Sequence, residues 1–170
     1  MQPNPQIQPL DHAQIAALIP HAGAMCLLDR VLEWDAGRIR CSAVSHTDPA
    51  NPMRSGDLLP ALTGIEYAAQ AMAVHGGLSG AAGPAGTRPR AGYLVGLRDV
   101  VCTCARLDDV AEPLQIEAVS VMGDAARVIY EFTVKAGPAG AVRELLSGRA
   151  TVVLSVGQED PAGPADPVPA

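Results

Sequence analysis

The sequence predicts an α+β fold in which one long helix lies against a single antiparallel sheet. Three observations carry that expectation. Residues 60–78 repeat apolar side chains at three- and four-residue steps, a strand–turn–strand pattern precedes them, and four strand-like segments separated by turn residues follow them.

Taken in order, residues 1–10 are rich in Pro and Gln and are expected to be loose. Residues 11–18 predict a short helix, with Asp11 as its cap and Ile15 and Leu18 as an apolar edge. Pro20 ends it, because proline disfavours the helical conformation at Ile19. Residues 25–34 are apolar around a central Asp29-Arg30 and predict a first strand. Asp35-Ala36-Gly37 is a turn, and residues 38–44 alternate as the second arm of a hairpin. A polar loop over residues 46–59, punctuated by Pro49, Pro52 and Gly56, leads into the long helix.

Leu58, Leu62, Ile65, Ala69, Met72 and Ala73 define the expected apolar face of that helix. Pro60 suits a first turn, where a missing N–H costs nothing, and Gly76-Gly77 suits a C-terminus. Ala61, Gly64, Ala68 and Ala71 leave little side chain on the other faces, so a sheet can wrap closely around it. Residues 79–89 are Gly-, Ala- and Pro-rich and are expected to be flexible. Strands are predicted over residues 92–105, 114–122, 127–135 and 143–155, with turns at Gly123-Asp124 and Gly137-Pro138, giving five to six strands in all. Residues 157–170 have the composition of a disordered tail, which leaves one domain over residues 11–156. A sheet wrapped around one helix exposes an edge strand, and self-association is the expected cover.

Hydrophobic residues make up 48% of the chain but aromatics only 3%, so the core must be built from Ala, Val, Leu and Ile. The net charge of −6 argues against nucleic acid as a general partner, while leaving room for a local basic patch facing an acidic protein. No apolar run has the length of a membrane span and no signal pattern opens the chain, so the cytoplasm is the expected compartment. Of Cys26, Cys41, Cys102 and Cys104, the last two could present their thiols on one face of a strand. No second close pair completes a zinc site, so buried thiols and no metal are expected.

Glu66 is the residue that does not belong on the helix. It lies beside Ile65 and one turn from Leu62 and Ala69, with Gln70 at i+4. Either it is solvated at the helix edge, or it is sheltered and holds its proton as a general acid must. The histidines compete for a matching base. His12 is expected on the surface, and His75 points away from Glu66. His46, at the end of the second strand, and His21 remain.

Three stretches carry a family resemblance. They are Ile19-Pro20-His21 running on to Leu27-Leu28-Asp29-Arg30-Val31, the helix from Pro60 to Gln70, and Gly92-Tyr93-Leu94-Val95-Gly96-Leu97. In this order they resemble the hotdog-fold β-hydroxyacyl–acyl carrier protein dehydratases over about residues 12–155. The nearest sub-group is the dehydratase-like proteins of aryl polyene and xanthomonadin pigment clusters. The resemblance implies a hotdog fold and dehydration of a 3-hydroxyacyl thioester to the trans-2-enoyl thioester. It implies no cofactor beyond the phosphopantetheine of an acyl carrier protein, and a homodimer or a heterodimer with another hotdog subunit. It also implies roles. His21 is the base, or His46 in its place, facing the acid Glu66 across a subunit seam. The Ala61 N–H polarises the thioester carbonyl, Gln70 orients Glu66, and Tyr67 helps to shape the pocket. For His21 the alternative is a structural role in holding its turn. Arg88, Arg90, Arg98 and Arg106 are candidate contacts for the acidic carrier, or simply solvated arginines.

One departure matters. The fatty-acid dehydratases carry their base in a His-Phe-Pro-Gly loop before the helix, and residues 51–60 here contain no His. That leaves open two alternatives: an acyl thioesterase on the same fold, in which the carboxylate activates water, or a non-catalytic subunit that completes a partner's tunnel.

Overall fold

A computed structural model describes residues 9–81, 92–124 and 126–154. Expectations for the remainder of the N-terminal segment, for most of the Gly-rich stretch with Arg88 and Arg90, and for the tail lie outside the described residues. The elements are α1 (His12–Leu18), β1 (Arg30–Trp34), β2 (Arg38–Ala43), α2 (Gly64–Ala81), β3 (Gly92–Cys102), β4 (Leu114–Gly123), β5 (Arg127–Ala136) and β6 (Arg143–Leu154), with short 3₁₀ turns at Gly23–Met25, Ser45–Thr47 and Ala61–Thr63. The six strands form one antiparallel sheet in the order β1-β2-β4-β5-β6-β3. No helix among the described residues is long and apolar enough to cross a membrane.

α1 starts where the sequence places it. The Asp11 carboxylate accepts from the Gln14 N–H, and the Gln14 side chain accepts from the Asp11 N–H, a reciprocal capping box. Ile19 is already extended at φ −118°, as the following Pro20 requires. Leu10, which the sequence places in the N-terminal segment, exchanges both backbone hydrogen bonds with Val31.

The register of the sheet decides where α2 can lie. Cys41, Ile116, Val134 and Leu146 pair in sequence across β2, β4, β5 and β6, and all four are buried. This row supports the start of the helix. A Cβ on Gly64 would stand 2.7 Å from Leu146 Cδ2, so any larger residue would have to push the Leu146 side chain aside. In the next row Ile39 pairs with Ala118, Ala118 with Phe132, and Phe132 with Gly148. A Cβ on Gly148 would stand 2.9 Å from Phe132 Cζ, so the missing side chain makes room for the ring. Each large aliphatic side chain sealed here contributes about 1.5–3 kcal/mol.

Four expectations need correction. The buried face of α2 carries Tyr67, Ala68, Ala71, Met72 and Val74, whereas Leu58 and Leu62 of the expected stripe are 47% and 59% exposed. The helix also passes through Gly76-Gly77 to Ala81, because Gly77 lies against Leu18 of α1, 3.6 Å from the Leu18 carbonyl oxygen to its would-be Cβ. Residues 25–34 give only the five-residue β1, because residues 25–27 are bonded by the Gln70 side chain and the backbone meets β2 first at Asp29, whose N–H donates to the Ser42 carbonyl. Cys102 is exposed, while Cys26 and Cys41 are buried as expected.

β3 is the outer strand at one end of the sheet, and Tyr93, Leu94, Val95, Leu97 and Val101 on it are all substantially exposed. Leu58 and Leu62, ahead of α2, are exposed apolar side chains as well. An edge with this composition is a template for another chain.

Candidate active site

The site begins where α1 stops. The chain leaves Pro20 extended, passes His21 and turns back through Gly23, whose φ of +57° suits glycine. Residues 25–27 then run beside α2 and are caught by Gln70. Gln70 is fully buried and uses its whole amide: Oε1 accepts from the Leu27 N–H at 2.8 Å, and Nε2 donates to the Met25 carbonyl at 2.8 Å and to Glu66 Oε1 at 3.0 Å. The orientation of that amide is unambiguous, since a flip would oppose donor to donor at Leu27 and acceptor to acceptor at the other two contacts. Glu66 lies one turn earlier on α2, which is why the i+4 spacing brings it within reach.

The same fold of the chain brings His21 Nε2 to 3.0 Å from Glu66 Oε1. The sequence-predicted acid, base and orienting residue therefore meet at one point. The expectation of a seam between them is corrected: imidazole and carboxylate belong to one chain, because the turn at Gly23 carries residues 21–27 directly over the first turns of α2. Nor is Glu66 sheltered in the sense expected. Its side chain is 27% exposed and that of His21 28%, so the pair sits at the surface of the single chain, beside exposed Leu62. A carboxyl and an imidazole in hydrogen-bond contact, open on one side, are equipped to take a proton from a ligand and return it.

Tyr67 does something other than shape a pocket. It is fully buried, and its hydroxyl lies 2.9 Å from Ser45 Oγ and accepts from Asn51 Nδ2 at 3.0 Å. Ser45 Oγ donates to the Leu27 carbonyl at 2.7 Å, so Tyr67 is the donor to Ser45. Burial raises the Tyr67 phenol above its usual range. Leu27 is thus held on its N–H by Gln70 and on its carbonyl by Ser45. Asp29 secures the next step of the segment by accepting from the Val44 N–H. The sequence reading gave Ser45 and Asn51 no role at the site.

His46 is also fully buried, and its Nε2 donates to the Val110 carbonyl at 3.0 Å. Burial lowers its pKa, and no contact with Glu66 exists among the described residues, so the structure does not bring this alternative base to the site. His75 is buried too. Its Nε2 donates to the Asp35 carbonyl and its Nδ1 accepts from the Tyr130 hydroxyl, both at 2.8 Å. The His12 ring donates to the Leu28 carbonyl from the surface side of α1.

The Ala61 N–H is not free for a thioester carbonyl. It donates to the Ala105 carbonyl at 3.0 Å, because Pro60 and Arg106 form an antiparallel bridge at the head of the helix. Arg106 is likewise withdrawn from docking. It binds both oxygens of Asp108 and reaches Asp109 at 3.2 Å. Arg98 remains exposed on β3, directly opposite Arg149.

Asp108, only 5% exposed, anchors the helix-leading loop. It accepts from the Leu59 N–H at 2.8 Å and faces Arg54, which also donates to the carbonyls of Asp48 and Asp57. The Arg106 guanidinium holds the Asp108 carboxyl well below the usual carboxylate range, against the opposing effect of burial. A depressed folded-state pKa contributes stability that is fully present above the unfolded value of about 3.9 and is lost as pH falls through the folded value. Asp108→Asn is therefore expected to lower Tm at neutral pH and to weaken the fall of Tm below about pH 4. Thermal melts from pH 7 to pH 2 test this, and parallel curves for the two proteins would refute it.

No curated protein matches the chain. Among solved structures, the dehydratase heterocomplex ApeI:P from Xenorhabdus doucetiae superposes with a TM-score of 0.70 at 21% identity, over 88% of this chain and 94% of that one. A thioesterase family protein from Silicibacter pomeroyi gives 0.56 at 16% identity, over 86% and 99%. A mutant of the thioesterase PA1618 from Pseudomonas aeruginosa gives 0.57 at 12% identity, over 86% and 95%. At these identities the likenesses establish the hotdog fold, which dehydratases and thioesterases share. The family model separates them: that of the ApeP-like proteins, described as ApeP dehydratase, matches residues 13–156, a span that takes in His21, Glu66, Gln70 and all six strands, and the chain is a member of the ApeP-like dehydratase family.

Proposed function

We propose that this dehydratase converts a 3-hydroxyacyl thioester, carried on the phosphopantetheine of an acyl carrier protein, to the trans-2-enoyl thioester in aryl polyene-type pigment synthesis. One observation carries the reading: the His21–Glu66 contact of 3.0 Å, aligned by Gln70, at an opening of the fold. Elimination of water requires an α-proton to be removed and a β-hydroxyl to be protonated, and this pair supplies a group for each. The thioester carbonyl would lie toward the head of α2, where the positive end of the helix favours developing negative charge.

The tunnel for the acyl chain is completed by a second hotdog subunit, identical or different, seated on β3 and on Leu58 and Leu62. The ApeI:P structure is of a heterocomplex, which supports a different subunit as the partner. Arg149, opposite Arg98 in register, is paired with Glu131 at 2.6 Å, which leaves Arg98 as the described candidate for contact with the acidic carrier.

The test supplies a 3-hydroxyacyl and a saturated acyl thioester to the chain, alone and with a second hotdog subunit, and follows conjugated alkene and free thiol separately. Alkene formation that is lost in His21→Ala is expected. Thiol release without alkene would establish the thioesterase reading instead. Activity unaffected by His21→Ala in the mixture would mark this chain as the non-catalytic subunit.

A further inference from the structure

We infer that Glu66 alone carries the proton of the elimination, as base and then as acid, while His21 stays neutral and donates its Nε2–H to Glu66. The inference rests on the dehydratase reading of the site and reassigns the roles within it.

The argument turns on the other ring nitrogen. His21 Nδ1 is enclosed by its own chain and has no hydrogen-bond partner among the described residues. An imidazole acts as a base through Nε2 only when its proton is on Nδ1. Here that tautomer would seal an N–H away from every acceptor, and orphaned buried N–H groups are rarer than buried lone pairs. It would also aim the Nε2 lone pair at Glu66 Oε1, 3.0 Å away, unless Glu66 gave up its own proton to that contact. The imidazolium needs the same orphaned N–H. The arrangement that leaves no donor unpaired is the neutral ring with its proton on Nε2, directed at a carboxylate.

Glu66 Oε1 then accepts from two N–H groups, His21 Nε2 and Gln70 Nε2. Oε2 has no partner among the described residues and is the oxygen left for chemistry. It takes the α-proton, and the electrons of the Cα–H bond pass into the thioester enolate. The protonated carboxyl then gives that proton to the β-hydroxyl. The enolate electrons form the Cα–Cβ double bond as the Cβ–O bond breaks, water leaves, and Glu66 is again a carboxylate. A single carrier reaches one face of the substrate, so hydrogen and hydroxyl depart from the same side. His21 is a positioning residue in this scheme, holding Oε1 and sharing its charge.

The deciding measurement is the tautomer. In the full chain labelled with ¹⁵N-histidine, long-range proton–nitrogen correlation spectra at neutral pH, with His21 assigned by its loss in His21→Gln, are expected to show Nδ1 unprotonated and Nε2 protonated. A protonated Nδ1 overturns the inference and leaves the dehydratase reading standing. Kinetics give a second, independent test. His21→Gln, which keeps an N–H donor but no base, is expected to hold kcat within about tenfold of wild type, and His21→Ala to fall further. Equal, deep losses in both variants overturn the inference. A wild-type chain that forms no alkene with any hotdog partner removes the dehydratase reading itself.

Discussion

Glu66→Gln is expected to lower kcat for alkene formation by about 10²–10⁴-fold while leaving the fold intact. The substitution is nearly isosteric, and the new amide oxygen can still accept from Gln70 Nε2 and from the His21 ring, so the contacts that organise residues 21–27 persist. Only the capacity to hold a proton is removed. Loss of activity with an unchanged Tm separates the chemical role from a structural one; a variant retaining more than a tenth of wild-type turnover would remove Glu66 from the mechanism. Because His21 and Glu66 lie in one chain, mixing Glu66→Gln chains with His21→Ala chains is expected to restore nothing. Recovery of activity in such mixtures would mean that the functional pair forms between subunits after all.

β5 was legible because it alternates, burying Tyr130, Phe132, Val134 and Ala136 and turning the residues between them outward, and β4 does the same over Leu114, Ile116 and Ala118. The buried face of α2 was not. Periodicity reports where apolar side chains recur and not which of them are covered: Leu58 and Leu62, at the start of the expected stripe, are exposed. The inward face joins Met72 and Val74 to Tyr67, Ala68 and Ala71, and the last three register weakly as hydrophobic although they are sealed. The segment before β1 was misread for a related reason. Its pattern is that of a strand, but the partner of its backbone is the Gln70 side chain, 43 residues away from Leu27. At the site, Glu66 and Gln70 were legible from helical spacing and His21 from its resemblance to known dehydratases. Which subunit His21 serves was not, since that depends on the turn at Gly23 and not on any local spacing. Asp108 reaches Leu59 across 49 residues, and nothing in the sequence around either announces the contact.

Gln70→Leu is expected to damage stability and catalysis together. Leucine has nearly the volume of glutamine, so the space is filled and the loss is of hydrogen bonds alone. The Leu27 N–H and the Met25 carbonyl would face an apolar side chain in a site that Gln70 now seals completely. Each orphaned group costs about 1–3 kcal/mol, so a loss of about 2–6 kcal/mol is expected from chemical denaturation, provided the segment does not peel away to find water. If it does peel away, stability falls less, but His21 moves off Glu66 and turnover collapses, because both ends of the catalytic contact are set by this one amide. Either route lowers kcat, and the two are told apart by hydrogen exchange at residues 21–28, which rises only in the second. Gln70→Glu sharpens the test. It restores polarity but cannot donate to Met25, and it sets a second carboxylate against Glu66, so it should recover neither property. Wild-type stability and turnover in Gln70→Leu would show that the segment carrying His21 is held by its own turn and that the helix spacing of 66 and 70 is incidental.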